Sequence, residues 1–380
     1  MSAEKIDIDQ FLFLAKHHPV IDVRSPGEYN HAHIPGAYSL PLFSNEEREA
    51  VGTAYKQESR EKAIKIGLDF FGPKMRKLVE EAESLEGIRN KKSGIGDEAA
   101  SNSGLPIPDS KILLLYCWRG GMRSAALAWL LDLYGFKIYL LTGGYKKFRK
   151  MVLDIFKQPF QLKILGGYTG SGKTEVLKEM EKQGETIIDL EGIANHKGSA
   201  FGNIGMPPQP SQEMFENILA SKIYSINCEL KEKSKAPFRG GGGLWLEDES
   251  QRIGLVNIPK DFWNNMRSSP LYFLEIPFEE RLKHLVKEYG DLDKQKMMDA
   301  ISRIKDRLGS LEAKNAITNL QENNSSACFQ ILLKYYDKWY KKGLHNREGL
   351  NSLLHTIDCE SVTPMNAKKL IQQPEYHEKS

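Results

Sequence analysis

One cysteine of this chain lies in a segment whose composition favours a nucleophilic sulfur. Cys117 follows the apolar run Ile112–Tyr116 and precedes Trp118-Arg119-Gly120-Gly121-Met122-Arg123-Ser124. Two glycines let the backbone curl until several N–H groups point at one spot, and the start of a following helix adds positive potential. Together with the guanidinium groups of Arg119 and Arg123, such a loop stabilises an anion, so we expect a reactive thiolate at Cys117.

The alternative for Cys117 is an inert cysteine at the end of a strand, because free cysteine often behaves as a small apolar residue. We expect that inert role for Cys228, Cys328 and Cys359, which lack a charged, glycine-rich loop. The strand–loop–helix pattern around Cys117 favours chemistry there.

A second glycine-rich segment has the composition of a phosphate-binding loop. Residues 167–174 fit the pattern G-x-x-x-x-G-K-[ST] and follow the apolar run Leu162–Leu165. Backbone N–H groups of such a loop wrap a diphosphate, its lysine places an ammonium on it, and its threonine binds Mg²⁺ or a phosphate oxygen. The predicted phosphate-binding residues are Gly167, Thr169, Gly170, Ser171, Gly172, Lys173 and Thr174. A plain glycine turn between strand and helix is the alternative.

An acidic cluster after another apolar run predicts a metal ligand. Glu247, Asp248 and Glu249 come directly after Leu244–Leu246. In P-loop folds a carboxylate at such a strand end can bind the metal ion, so we expect Mg²⁺ near Thr174 and either Glu247 or Asp248. A solvated acidic loop is the alternative.

The segment Asp189–Gly202, between these two motifs, is small, polar and glycine-rich. Beside a phosphate-binding loop, such a segment can close over a second substrate, with His196 and Lys197 holding a phosphate or transferring a proton. We therefore predict a substrate loop containing His196, Lys197 and Ser199. An ordinary surface loop is the alternative.

Composition bounds the class of protein. The 380 residues are 40% hydrophobic and 27% charged, the balance of a globular protein with two or three domains. Four cysteines without a CxxC pair argue against a disulfide scaffold and for the reducing cytoplasm. No long apolar stretch follows the N-terminus, so we expect no signal peptide and no membrane partner. With a formal net charge of only +3, any nucleic-acid site must be a local basic patch.

Apolar runs alternate with stretches of helical composition, which predicts two α/β domains with parallel sheets. In residues 1–150 the expected strands are Val20–Val23, Ile112–Tyr116 and Ile138–Leu141, and residues 86–110 form a long surface loop. In residues 158–380 the expected strands are Leu162–Leu165, Thr186–Asp189, Leu244–Glu247, Leu271–Ile276 and Leu353–Asp358. Residues 278–343 are mostly helical, so this P-loop NTPase-like domain has a largely helical C-terminal part.

The first domain resembles the rhodanese family. The resemblance rests on Asp22-Val23-Arg24-Ser25-Pro26-Gly27-Glu28-Tyr29, on His33-Ile34-Pro35-Gly36-Ala37, and on the loop after Cys117. It implies a rhodanese-like parallel-sheet domain whose loop cysteine carries a persulfide. Asp22 and Arg24 are then framework residues that pair around the first strand.

Over about residues 8–345 the chain resembles the tRNA 2-selenouridine synthase family. Besides the two motifs, the resemblance rests on residues 46–57, 143–149, 195–202 and 247–254. It implies a tRNA-modifying transferase that converts wobble 2-thiouridine to 2-selenouridine with selenophosphate, through S-geranylation from geranyl diphosphate. A selenophosphate-producing enzyme is then a partner, and the P-loop needs no ATP hydrolysis.

The resemblance also implies catalytic roles for four residues. Lys173 stabilises the charge of the departing diphosphate. Cys117 binds or passes selenium, and Arg119 and Arg123 steer the anionic selenophosphate. Alkylation makes the sulfur a thiol leaving group, which selenium can displace.

Contacts with tRNA are expected at a local basic patch formed by Lys146, Lys147 and Arg149. The segment Lys334–Lys342 mixes lysines with aromatic residues that could stack on bases. An amphipathic helix that buries those aromatic residues is an equal alternative for that segment.

A rival hypothesis is a rhodanese-type sulfurtransferase fused to an ATP-dependent kinase or NTPase that acts on a small molecule. It predicts tight binding of ATP–Mg²⁺ and turnover of ATP without RNA. A non-catalytic, nucleotide-gated module is disfavoured, since a scaffold needs neither Cys117 nor Lys173.

Overall fold

Two parallel sheets, one in each half of the chain, organise the structure. The computed structural model describes residues 3–92, 111–232, 243–290 and 292–372. Clustering of contacts divides the chain into two units, Met1–Asp154 and Ile155–Ser380. Each unit has a five-stranded, all-parallel sheet with helices around it, and the second ends in a largely helical part. The predicted fold class is confirmed.

The sheet of the first unit has the strand order β1-β5-β4-β2-β3. Its strands are β1 (Glu4–Ile6), β2 (Val20–Asp22), β3 (Tyr38–Ser39), β4 (Ile112–Tyr116) and β5 (Lys137–Leu141). Its helices are α1 (Ile8–Ala15), α2 (Pro26–His31), α3 (Asn45–Gln57), α4 (Arg60–Phe71), α5 (Met75–Lys92), α6 (Met122–Tyr134) and α7 (Gly144–Ile155). Four of the five residues of β4 are buried, as expected for a central strand covered on both faces.

Helix α5 corrects the loop that was predicted over residues 86–110. The chain stays helical as far as Lys92, because the polar residues at the end of α5 continue a surface helix rather than starting a loop. Residues 93–110 lie outside the described residues.

A buried ion pair lies at the end of β2. Arg24 donates to both carboxylate oxygens of Asp22, with Nη2 2.6 Å from Oδ2, and Tyr116 donates its hydroxyl to the same carboxylate. The guanidinium also lies 3.9 Å from the ring centroid of Tyr145. The pairing expected for Asp22 and Arg24 is confirmed, and it fixes the backbone on one side of β4.

The sheet of the second unit has the strand order β12-β11-β6-β8-β7. Its strands are β6 (Leu162–Gly167), β7 (Ile187–Ile188), β8 (Leu244–Glu247), β11 (Leu271–Glu275) and β12 (Leu354–Asp358), and β9 (Arg252–Ile253) and β10 (Val256–Asn257) form a separate antiparallel pair. The neighbours of β6 are β8 and β11, so the loop after β6 lies where the direction of the chain crossings reverses. In open α/β sheets, ligands bind at the carboxyl edge of that point.

Helices surround this second sheet and continue into a helical cluster. They are α8 (Lys173–Lys182), α9 (Leu190–Ala194), α10 (Gln212–Glu232), α11 (Lys260–Arg267), α12 (Phe278–Tyr289), α13 (Lys294–Arg303), α14 (Lys305–Leu308), α15 (Ser310–Gln321), α16 (Ser325–His345), α17 (Leu350–Leu353) and α18 (Ala367–Ile371). Helices α12, α13, α15 and α16 share one apolar core. Across the described segments, no helix has the length and apolar character to cross a bilayer.

Candidate functional site

Cys117 lies at the base of the loop between β4 and α6. Its side chain is 3% exposed. Its Sγ accepts a hydrogen bond from the Gly121 N–H at 3.3 Å and lies 3.2 Å from Ser124 Oγ. Since a thiolate can only accept hydrogen bonds, Ser124 must become the donor when Cys117 ionises.

The electrostatics of the loop favour the thiolate of Cys117. Burial alone would raise the pKa, but hydrogen bonds from Ser124 and from the backbone of Gly121 and Arg119 outweigh burial and lower the pKa of Cys117 below its ordinary value. Burial without such donors has the opposite effect at Cys328, where it raises the pKa to about 12.

Replacing Ser124 by alanine should shift the pH dependence of Cys117 alkylation upward. Iodoacetamide reacts with the thiolate, so the rate follows the ionised fraction. Loss of one hydrogen bond to a charged sulfur should slow labelling near pH 7 by about tenfold, while at high pH the rates converge. Peptide mapping of iodoacetamide adducts between pH 6 and 10 measures this. Identical profiles for the two proteins would contradict the role of Ser124.

The start of α7 clamps the thiol loop from the other side. The N–H groups of Tyr145 and Lys146 donate to the carbonyls of Cys117 and Trp118, at 2.8 and 3.0 Å. Gly144 has φ +58°, and a Cβ there would lie 2.2 Å from the Cys117 carbonyl oxygen. Only glycine permits this approach.

The clamp brings the predicted tRNA-binding residues of α7 into the neighbourhood of the thiol loop. Lys146 and Lys147 are exposed, and Arg149 is half-buried. Their contact with tRNA stays a prediction.

The two arginines of the thiol loop differ in their surroundings. Arg119 is exposed. Arg123 forms an ion pair with Glu28, with Nη1 2.8 Å from Oε2. Burial would raise the pKa of Glu28, but Arg123, the Ser25 N–H and Arg48 lower it overall. Much of the charge of Arg123 is therefore offset by a residue that the sequence did not single out, and Arg119 presents the less compensated guanidinium.

The phosphate loop joins β6 to α8 as predicted. Gly170 and Gly172 have φ values of +80° and +69°, and Lys173 begins α8. The Lys173 ammonium lies 3.5 Å from the Gly167 carbonyl oxygen, and the buried Ser171 hydroxyl has no partner among the described residues. A helix N-terminus, an ammonium and an unpartnered hydroxyl thus lie together in one loop, a combination typical of phosphate sites.

Three glutamates gather beside Thr174. Thr174 Oγ1 donates to Glu247 Oε1 at 2.9 Å and lies 3.4 Å from Glu191 Oε2. Burial, followed by repulsion between the carboxylates, raises the pKa values of Glu191 and Glu247 to about 8. Burial also raises the pKa of Glu249 to about 7, although Lys173 acts in the opposite direction. With pKa values in this range the three carboxyls are largely protonated near pH 7, and full ionisation of the cluster requires a cation in addition to Lys173.

The residues of this cluster fit a magnesium ion. Hydroxyl and carboxylate oxygens are its preferred ligands, and Glu247 Oε2 is buried without a partner among the described residues. Across the described residues of the chain, no group of three or more His, Cys, Asp or Glu side chains is placed to hold a metal ion by itself. A magnesium ion here would take its remaining ligands from phosphate and water, and Thr174 and Glu247 are the residues that would hold it.

Asp248, the other predicted metal ligand, is engaged elsewhere. Its carboxylate accepts hydrogen bonds from the Tyr340 hydroxyl at 2.6 Å and from Arg347 at 2.5 Å. Adjacent residues of a strand point to opposite sides, so only Glu247 faces Thr174. The Tyr340 oxygen also accepts from the Gly167 N–H at 3.3 Å, so Asp248 supports the phosphate loop through Tyr340.

Arg281 gives the phosphate loop a second support. It donates to the Thr169 carbonyl at 3.1 Å and forms a two-pronged ion pair with Asp337 of α16. Tyr336, Asp337 and Tyr340 of α16 all face the protein, so the amphipathic alternative holds for this part of Lys334–Lys342, while Trp339 is 42% exposed.

The predicted substrate loop closes over the acidic cluster, but its two basic residues are not free. A Cβ on Gly198 would lie 2.7 Å from Glu191 Oε1. Lys197 pairs with Glu288 at 2.5 Å. The His196 ring is 9% exposed, and burial, with a smaller effect of Arg303, lowers its pKa. His196 is thus neutral near pH 7 and poorly suited to hold a phosphate. Ser199 caps the turn by accepting from the Phe201 N–H.

An apolar pocket adjoins the phosphate loop. Its free volume is about 20 Å³, room for little more than one water molecule. It is lined by Thr169, Ser199, Phe201, Leu285, Tyr289, Phe329, Leu332, Leu333 and Tyr336. A Cβ on Gly170 would lie 2.9 Å from Leu285 Cγ, so the apolar wall begins in contact with the phosphate loop.

Several residues of these sites were not predicted. Glu28 and Ser124 stand within the motifs quoted above but were given no role, and Arg281 and Tyr340 act through contacts that no local pattern announces. For Glu191 a signal was present, since it follows the expected strand Thr186–Asp189, and the carboxyl ends of neighbouring parallel strands meet at one edge.

The fold and sites define a two-part class of protein, in which a rhodanese-like thiol domain precedes a P-loop domain. Residues 8–151 match the family model of the rhodanese-like domain. Residues 160–370 match the model described as the tRNA 2-selenouridine synthase AAA domain.

Relatives named tRNA 2-selenouridine synthase match most of the chain. One from Hydrogenovibrio crunogenus is 36% identical over 313 residues, covering 77% of this chain and 77% of the relative. One from Shewanella denitrificans is 37% identical over 294 residues, covering 77% and 70%. One from Marinobacter nauticus is 32% identical over 382 residues, covering 91% and 94%. The chain belongs to the tRNA 2-selenouridine synthase family.

Proposed function

We propose that this protein converts wobble 2-thiouridine of tRNA to 2-selenouridine, with selenophosphate as the selenium donor, through an S-geranylated base made from geranyl diphosphate. The observation that carries the proposal is the apolar pocket against the phosphate loop. A nucleoside triphosphate has no apolar tail to place there, whereas a prenyl diphosphate joins an apolar chain directly to a diphosphate.

The phosphate loop would bind the diphosphate of the donor. The N–H groups of Gly170 and Gly172, the unpartnered Ser171 hydroxyl and the Lys173 ammonium would face the position where negative charge grows as the carbon–oxygen bond breaks. Magnesium held by Thr174 and Glu247 would offset part of that charge. The prenyl chain would extend past Leu285 into the pocket. Because the free volume of the pocket is only about 20 Å³, far below the usual range for ligand sites, the lining side chains must move apart to admit the chain.

The thiol loop would handle the selenium. The lowered pKa of Cys117 increases the fraction of anionic sulfur, and exposed Arg119 would attract the dianionic donor. Lys146, Lys147 and Arg149 would contact the tRNA backbone. The protein would act in the cytoplasm, where tRNA and reduced thiols are present.

Nucleoside analysis of tRNA after incubation with the protein, geranyl diphosphate and selenophosphate tests the proposal. We expect S-geranyl-2-thiouridine to rise and fall as 2-selenouridine accumulates. Two results together would contradict the proposal and support the sulfurtransferase–kinase alternative. The protein would hydrolyse ATP in the presence of Mg²⁺ without RNA, and tRNA incubated with it would stay unmodified.

Enlarging the apolar pocket provides a sharper version of this test. Leu332→Ala should shift the donor preference toward a prenyl diphosphate one isoprene unit longer, by about tenfold in relative kcat/KM. Leu320→Ala is the matched control, because Leu320 is equally buried in the same helical core but does not line the pocket. Equal donor preferences in the two variants would show that the pocket does not hold the chain.

A further inference from the structure

A second cavity opens on the other side of the predicted substrate loop. Its volume is about 270 Å³, close to the lower end of the usual range for ligand sites. Its walls include Asp189, Ile193, Asn195, Pro210, Ile218 and Lys222. None of the roles assigned above uses this cavity.

The position of the cavity relates it to the phosphate loop. Ile193 lies on α9, and Glu191 of the same short helix lies 3.4 Å from Thr174. Asn195 lines this cavity and Ser199, four residues later, lines the apolar pocket. The segment from Asn195 to Ser199 therefore separates the second cavity from the apolar pocket, and α9 links this cavity to Thr174 of the phosphate loop.

The side chains of the cavity match the parts of a pyrimidine nucleotide. Ile193, Pro210 and Ile218 provide an apolar surface for the flat base. The Asn195 amide is half-buried and offers an oxygen acceptor beside an N–H donor, the complement of the N3–H and O4 of uridine. One Asn195 N–H already donates to the Pro208 carbonyl at 2.9 Å, which fixes the orientation of the amide.

The two charged residues complete the match. Asp189 accepts from the Gly192 N–H through Oδ1, which leaves Oδ2 to accept from a ribose hydroxyl. Lys222 is exposed at the rim of the cavity, where an ammonium can contact a backbone phosphate.

We propose that this cavity receives the unstacked uridine of the tRNA substrate and that Asn195 reads its Watson–Crick edge. The proposal rests on the proposed function, since S-alkylation requires the base to lie next to the donor diphosphate. It names a substrate-binding site and the residue that distinguishes uridine from cytidine, whose N4 amino group and N3 acceptor mismatch the Asn195 amide.

Binding of an anticodon stem-loop RNA, measured by fluorescence anisotropy without either co-substrate, tests the site. Wild-type protein should bind a loop with wobble 2-thiouridine more tightly than one with cytidine. Asn195→Asp should weaken binding of the 2-thiouridine loop by about tenfold and remove the preference, because a carboxylate repels O4. Aspartate tolerates the left-handed backbone at position 195, where φ is +51°.

Lys222→Ala is the second variant, since an exposed side chain can be removed without disturbing the fold. This variant should bind the 2-thiouridine loop and the cytidine loop equally more weakly, by several-fold. The salt dependence of RNA binding should fall by the amount expected for about one phosphate contact. Lys314→Ala, an equally exposed lysine on α15 that does not line the cavity, should change nothing.

The outcomes separate this inference from the proposed function. If the wild-type protein prefers the 2-thiouridine loop and Asn195→Asp loses that preference, the result supports the uridine site, even if the protein makes no 2-selenouridine. If Asn195→Asp and Lys222→Ala both bind the RNA as tightly as the wild-type protein and keep its preference for 2-thiouridine, the proposed uridine site is wrong, even if the protein fully converts tRNA. Failure of the wild-type protein to prefer uridine over cytidine would overturn it as well.

Discussion

Cys117→Ser should abolish formation of 2-selenouridine while leaving S-geranylation intact. A serine hydroxyl keeps the size of the side chain, but it does not ionise near pH 7 and supplies no anionic sulfur. We expect selenation to fall by at least about a hundredfold, as when a nucleophile is removed. Nucleoside analysis should then show S-geranyl-2-thiouridine accumulating, since the phosphate loop retains all its contacts.

The matched control is Cys228→Ser, because Cys228 lies on α10 outside any charged loop. It should behave as the wild-type protein in both steps. If Cys117→Ser selenates tRNA at the normal rate, Cys117 has no role in the mechanism, even though its pKa is lowered. Loss of both steps would show that the substitution damages more than the thiol.

Lys173→Ala should eliminate S-geranylation, and with it selenation of tRNA that enters as 2-thiouridine. The ammonium is the one full positive charge of the phosphate loop itself, and it also faces the three glutamates. Removing one preorganised charge from a departing diphosphate costs about a hundredfold to a thousandfold in rate. The geranylated nucleoside should be absent from single-turnover reactions.

Supplying tRNA that already carries the geranyl group isolates the affected step. Lys173→Ala should impair only the first step, S-geranylation. The pre-geranylated tRNA should therefore still be converted to 2-selenouridine at more than about half the wild-type rate. Lys178→Ala, an exposed lysine further along α8, is the control and should be active in both steps. If Lys173→Ala converts 2-thiouridine at the wild-type rate, the phosphate loop does not hold the donor.

Features that depend on neighbouring residues were predictable from the sequence. The buried runs at Ile112–Tyr116 and Leu244–Glu247 are strands with the expected bounds, because continuous apolar stretches of that length form central strands of parallel sheets. The positive φ values of Gly170 and Gly172 follow from the same motif that predicts phosphate binding. Strands β1 and β3, with three and two residues, are too short to leave a pattern.

Features that depend on distant residues were not predictable. Arg123 meets Glu28, which is 95 positions away, and Gly167 meets Tyr340, which is 173 positions away. Neither pair has a local signal, since charged and aromatic residues are common on helix surfaces. The choice between Glu247 and Asp248 likewise required knowledge of which face of the strand meets Thr174. The enclosure of His196 depends on Gly202 and Gly254, from two different segments.

The supports of the phosphate loop impose an order on biosynthesis. Gly167 and Thr169 are held by Tyr340 and Arg281, which the ribosome adds more than a hundred residues later. The contacts described around Cys117 all come from residues before Asp154. A nascent chain can therefore complete its thiol loop early, whereas its phosphate loop acquires a fixed shape only after α16 has emerged. If the ribosome stalls before residue 340, the chain has a complete thiol loop, but its phosphate loop lacks the contact with Tyr340.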